Sequence, residues 1–163
     1  HDPGLSPQGR EEAEAAARAL APKGPLAILS SPLARARETA APLERLWESH
    51  ARIEPGVAEV PSPDIPLDGR GVWLRALMAG RWSEADAMRR AWRDQVVATL
   101  VRQQRPCAIF SHFVAINVAV GAALGDDRAT LFSPANGSIT VLESDGRTLT
   151  LIEKGREAET VVR

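Results

Sequence analysis

The sequence predicts an α/β fold in three layers, α/β/α, with a mostly parallel sheet and an antiparallel hairpin at its edge. Three observations lead there. Two short apolar runs, residues 26–29 and 107–110, each stop at a serine and pass straight into a helical pattern, as parallel strands joined by helices do. The second of these helices, residues 113–124, is apolar apart from Asn117. It is too long for a strand and too short to cross a bilayer, so it reads as buried. Finally, Asp145-Gly146 separates two alternating runs, which is a strong hairpin signal.

From the amino terminus, Ser6 is placed to cap a helix, with Pro7 at its first position and Pro22 closing it. The inward face of that helix, Ala13, Ala16, Ala17 and Leu20, is small enough to lie close against a sheet. The strand at 26–29 runs into Ser30-Ser31-Pro32, where a serine again suits a cap and Pro32 a first helical position. Leu33, Ala36, Ala40, Leu43 and Trp47 then keep helical spacing. Ile53, Val57 and Val60 mark the next strand within residues 52–60, ended by the proline-rich loop 61–66. Residues 67–80 include a short helix packing through Trp73, Leu74, Leu77 and Met78. Ser83-Glu84 is expected to cap a longer helix to about Gln104, with Met88, Trp92, Val96 and Leu100 as its inward stripe. The runs 138–143 and 148–153 form the hairpin, whose polar-out alternation places it at a sheet edge, and residues 156–163 form a loose tail. No repeat or linker divides the chain, so residues 1–163 read as a single domain with a sizeable core.

Composition removes several functions. Lys and Arg number 20 against 21 Asp and Glu, a net charge of −1, so no polyanion-binding field exists. Basic residues are not interleaved with aromatics, and no membrane-spanning run is present; neither a nucleic-acid nor a membrane partner is expected. There is no glycine-rich dinucleotide or P-loop fingerprint, no Cys/His cluster for zinc and no Gly-x-Ser-x-Gly elbow, so no cofactor and no metal are expected. The single cysteine, Cys107, cannot form an internal disulfide and suits a reducing, cytoplasmic location.

What remains is one histidine and one arginine, each at a strand-to-helix turn. In open α/β sheets ligands collect at the carboxyl ends of strands, where helix N-termini point free N–H groups. His112 sits on the turn after residues 107–110, and Arg35 in the opening turn of the helix after residues 26–29. A cation at a helix start opposes the helix dipole by about 0.3–1 kcal/mol when exposed, and a bound anion reverses that sign. Two readings stand for each residue: a satisfied core histidine against a site residue, and a surface arginine paired with Glu38 against an anion ligand. If the two turns adjoin, guanidinium, imidazole and N–H groups make a pocket suited to a phosphoryl group.

The motifs carry a resemblance. Ser30-Ser31-Pro32-Leu33-Ala34-Arg35-Ala36-Arg37-Glu38-Thr39-Ala40 resembles the Ser-Pro-Leu-x-Arg-Ala-x-x-Thr-Ala signature of the histidine phosphatase superfamily, the phosphoglycerate-mutase-like proteins. Leu5-Ser6-Pro7-Gln8-Gly9 is similar to that family's Leu-Thr-x-x-Gly helix start, Ser111-His112 to its Ser-His-Gly, and residues 136–140 to its late strand. The resemblance implies that Arg35 binds the transferring phosphoryl group, that His112 is the second active-site histidine, and that Glu59 donates a proton to the leaving oxygen. Phe113 stands where the family has glycine, which bears on substrate range.

The family's nucleophile is a histidine at the end of a first strand, in Arg-His-Gly, and this chain starts after that point. His1 has no strand before it, and His50 lies at a helix end. The expectation is therefore a strand upstream of His1 that carries the nucleophile. The function expected is hydrolysis of phosphate monoesters of small molecules through a phosphohistidine, in the cytoplasm. The alternative is a catalytically inactive member that binds a phosphorylated ligand or a protein. Oligomeric state is not legible.

Overall fold

The computed structural model describes residues 2–159. The first helix, α1 (Pro7–Leu20), begins as the serine and proline dictate: Ser6 is the N-cap, its Oγ accepting from Gly9 N at 3.0 Å. Ala13, Ala16 and Ala17 are buried against the second helix and the sheet. Strand β1 (Ala27–Ser30) follows, then helix α2 (Ala34–Trp47), short strand β2 (Arg52–Ile53), helix α3 (Leu67–Ala79), helix α4 (Ala87–Val101), strand β3 (Cys107–Phe110), helix α5 (Phe113–Leu124) and the hairpin strands β4 (Val141–Ser144) and β5 (Leu149–Glu153).

The parallel sheet has the order β2-β1-β3, with Ile28 opposite Ala108 and Ser30 opposite Phe110. One face packs on α1 and α2 through Ile28, Ala108, Phe110, Ala17, Ala36, Ala40 and Leu43, the last fully buried. A second core lies between α4, α5 and the preceding segment, through Val60, Trp82, Val96, Val114, Ala115, Val118 and Ala129, with Trp73, Leu74, Leu77 and Met78 of α3 against it. This is the α/β fold with a parallel sheet and an antiparallel hairpin. Asn117, the one polar residue of α5, is fully buried and satisfied: its amide donates to the carbonyls of Phe113 and Phe132, and its oxygen accepts from Leu131 N and Phe132 N.

Several expectations are corrected. Helix α2 starts at Ala34 after an uncapped Leu33; the Ser31 hydroxyl is engaged elsewhere and Pro32 lies outside the helix. The strand expected over 52–60 is only Arg52–Ile53, both exposed, because Pro55 opens a 3-10 turn capped by the Glu54 side chain on Gly56 N. Glu59 therefore sits on irregular backbone, not at a strand end. Ser83 lies within a 3-10 turn, Trp82–Glu84, and Asp86 takes the N-cap of α4. Val96, Trp92 and Leu100 keep the expected inward stripe, but Met88 is 63 % exposed and Arg89 is buried in its place.

The hairpin pairs β4 with β5 in a separate two-stranded sheet, not on the edge of the parallel one, and its first strand begins only at Val141. Residues 156–158 are not loose: Ala135 N donates to Arg156 O, and Ala158 N to Ser133 O. His1 and the end of the expected tail, residues 160–163, lie outside the described residues.

Candidate active site

Parallel pairing of β1 with β3 ends both strands at one level, and Ser31 N donates to Phe110 O at 2.9 Å beyond the last pair. The two strand-to-helix turns therefore adjoin. His112 is the N-cap residue of α5 but does not cap it with its side chain; the ring turns toward the other turn, Nε2 lying 2.7 Å from Ser31 Oγ. The ring is 6 % exposed and the Ser31 hydroxyl fully buried. Ser31 Oγ also accepts from Leu33 N, which fixes it at the entrance to α2. The His112 contact engages the hydroxyl that the sequence offers as a cap for α2, and it links the two motifs physically.

The helix start left open by His112 is closed by Glu59. Its Oε1 accepts from Val60 N and Ala115 N and its Oε2 from Val114 N, each at 3.1 Å. The segment bearing it is anchored further by Ser111 Oγ, which donates to Val57 O at 2.7 Å. Glu59 and His112 thus share the N-terminus of α5. Burial raises the Glu59 pKa above its ordinary value, opposed by the three N–H donors and by Arg35. One oxygen takes two donors and the other only one, so Oε2 keeps a lone pair where a proton can reside.

Burial pushes His112 the other way, to about 4 from 6.5, with Arg35 also lowering it and Asp2 raising it. The imidazole is neutral at neutral pH. Arg35 is exposed in the first turn of α2 and acts electrostatically on both His112 and Glu59. It forms no ion pair among the described residues, with Glu38 or any other carboxylate. Arg37 instead donates to Pro32 O and braces the turn. Ala34 N, at the head of α2, donates to both carboxylate oxygens of Asp2, at 2.9 and 3.1 Å. An oxyanion of this chain thus already occupies the helix start beside Arg35.

The structure brings His112, Glu59 and the Arg35 turn together, and adds Ser31 and Asp2. Ser31 reads in sequence only as a helix cap; nothing local shows that a residue 81 positions away takes its hydroxyl. His50 is apart: exposed, 3.9 Å from Glu44, it lines a cavity of about 620 Å³ with Arg52, Arg102, Arg105 and Cys107. Neither that cavity nor the one of about 570 Å³ beside Trp82 and Arg93 includes His112, Glu59 or Arg35, so chemistry and not volume locates the site. Among the described residues no three His, Cys, Asp or Glu are grouped to hold a metal, and no helix is long and apolar enough to cross a membrane.

Residues 1–65 match the sequence profile of the histidine phosphatase superfamily (branch 1). Among solved structures, mycobacterial hydrolase 1 is 26 % identical with a TM-score of 0.73, over 96 % of this chain and 89 % of that one. Mycobacterial glucosyl-3-phosphoglycerate phosphatase is 25 % identical with a TM-score of 0.69, over 96 % of this chain and 89 % of that one. Its complex with VO3 superposes with a TM-score of 0.70 at 26 % identity, over 93 % and 86 % of the two chains. A PE-PGRS family protein of Mycobacterium tuberculosis, PE_PGRS11, is 46 % identical over 59 residues. Those residues are 36 % of this chain, and the match spans about a tenth, 10 %, of that curated protein's length.

Proposed function

We propose that this chain, which belongs to the histidine phosphatase superfamily, forms the site at which phosphate monoesters of small molecules are hydrolysed in the cytoplasm. The observation that carries the reading is the 2.7 Å contact between His112 and Ser31, which joins the two helix starts and sets Glu59 beside them. Arg35 binds the phosphoryl oxygens, which displace the Asp2 carboxylate from Ala34 N at the head of α2, and His112 hydrogen-bonds to the same group. A bound dianion reverses the electrostatic balance on the imidazole and favours its protonated form.

The nucleophile is a histidine upstream of His1, on a strand beside β3. Among the described residues β3 pairs only with β1. As the nucleophilic nitrogen bonds to phosphorus, the ester P–O bond breaks and Glu59 gives its proton to the leaving oxygen. Water then attacks phosphorus, its proton passes to the Glu59 carboxylate, and the P–N bond breaks to release phosphate.

The test uses the protein from its complete reading frame. Glu59→Gln should slow esters with poor leaving groups far more than activated aryl phosphates, since a general acid contributes typically about 10²–10⁴-fold and least where the leaving oxygen needs no proton. Equal loss on both would remove Glu59 from that role and turn attention to Asp64 and Glu84. The competing reading is an inactive member that binds a phosphorylated ligand or a protein partner; His50, exposed and lining a separate cavity, is no candidate for the nucleophile. That reading predicts that the complete protein binds phosphate but releases none from any ester.

A further inference from the structure

Arg89 is the one buried arginine or lysine among the described residues, and it stands where the sequence expects Met88. Its surroundings do not account for a charge. Its one carboxylate partner, Asp86, is 55 % exposed at 3.1 Å, and Nη2 is buried with no hydrogen-bond partner. The guanidinium carbon lies 5.1 Å from the centre of the Trp73 ring. A buried cation so incompletely paired is commonly no more stable than an apolar side chain of similar volume, so stability alone does not explain it.

Its remaining bond does. Arg89 Nε donates to Pro61 O at 3.0 Å, and one helical turn on, Trp92 Nε1 donates to Ala58 O at 3.3 Å. The two accepting carbonyls flank Glu59, one residue before it and two after. This stretch has no strand neighbours to hold it, because the chain leaves the sheet at Ile53. We propose that Arg89, with Trp92, is a positioning residue that holds the irregular segment 58–61 so that the Glu59 carboxyl stays seated at the head of α5. It sets where the acid stands.

The inference rests on the reading of Glu59 as proton donor, and one experiment separates the two. Arg89→Met, Arg89→Lys and Glu59→Gln are compared in the complete protein on an alkyl and an activated aryl phosphate, with thermal unfolding measured alongside. Arg89→Met keeps volume and removes the donor. Its kcat on the alkyl ester should fall by up to about 100-fold, the scale of a misplacement of about 1 Å. The aryl ester and the KM values should stay close to wild type. Arg89→Lys, which can still donate to Pro61 O, should recover part of the loss, and it carries the test if the Met variant does not fold. Loss on both esters alike in the Arg89 variants, or no loss, beside a leaving-group-dependent loss in Glu59→Gln, overturns the Arg89 proposal alone. A Glu59→Gln variant that treats both esters alike overturns the acid assignment, and the positioning role with it.

Discussion

The acid side of the stability profile should be set largely by His112. Its pKa is about 4 in the folded chain against 6.5 ordinarily, so the unfolded state takes up the proton first. Stability is full above pH 6.5 and falls as the pH drops from there toward 4. Between pH 7.5 and pH 5.0 those two values give a loss of about 2 kcal/mol, roughly a 30-fold change in the folding constant. The ring is only 6 % exposed, so solvent screening takes little from that figure. Glu59 has the opposite sign, because its raised pKa adds stability as the pH falls toward its ordinary 4.5. The measured quantity is therefore a difference between variants. Guanidinium unfolding at the two pH values is run on wild type and His112→Gln, which keeps a polar group within reach of Ser31 but cannot titrate. The wild type should lose about 2 kcal/mol more than the variant on acidification. Millimolar sulfate, against sodium chloride of equal ionic strength, should shrink the wild-type loss, because an anion beside the ring favours its protonated form. An equal acid loss in both proteins would refute the buried neutral imidazole, and with it the geometry that ties His112 to Ser31.

Three further outcomes test the scaffold. Asn117→Ala should cost at least about 3 kcal/mol in denaturant unfolding, since it orphans Leu131 N, Phe132 N and Phe132 O around a fully buried position. Leu43→Ala, at a fully buried site between α2 and the sheet, should cost about 2–5 kcal/mol without changing the pH dependence. Gly137→Ala should lower the thermal midpoint, because Gly137 has φ +72° and an added Cβ would stand 3.0 Å from Glu12 O; an unchanged midpoint would contradict that close approach.

The sequence by itself determined what is local. Ser6 and Pro7 start α1 through bonds within four residues, and the apolar run after His112 is a buried helix in any α/β arrangement. The order of strand, turn and helix placed His112 and Arg35 at helix starts, since that order is written residue by residue. Tertiary structure decided whatever depended on a competing partner far along the chain. Ser31 looks like a cap, yet His112 takes its hydroxyl. Glu59 looks like any surface glutamate until α5 brings two free N–H groups to it from 55 and 56 residues away. Met88 and Arg89 are neighbours on a helix, and hydrophobicity favours the methionine inside; the carbonyl of Pro61 and the ring of Trp73 reversed that choice. A hairpin turn is encoded in Asp145-Gly146, but the sheet its strands join is not, because strand pairing is settled by non-local backbone hydrogen bonds that carry little side-chain signature.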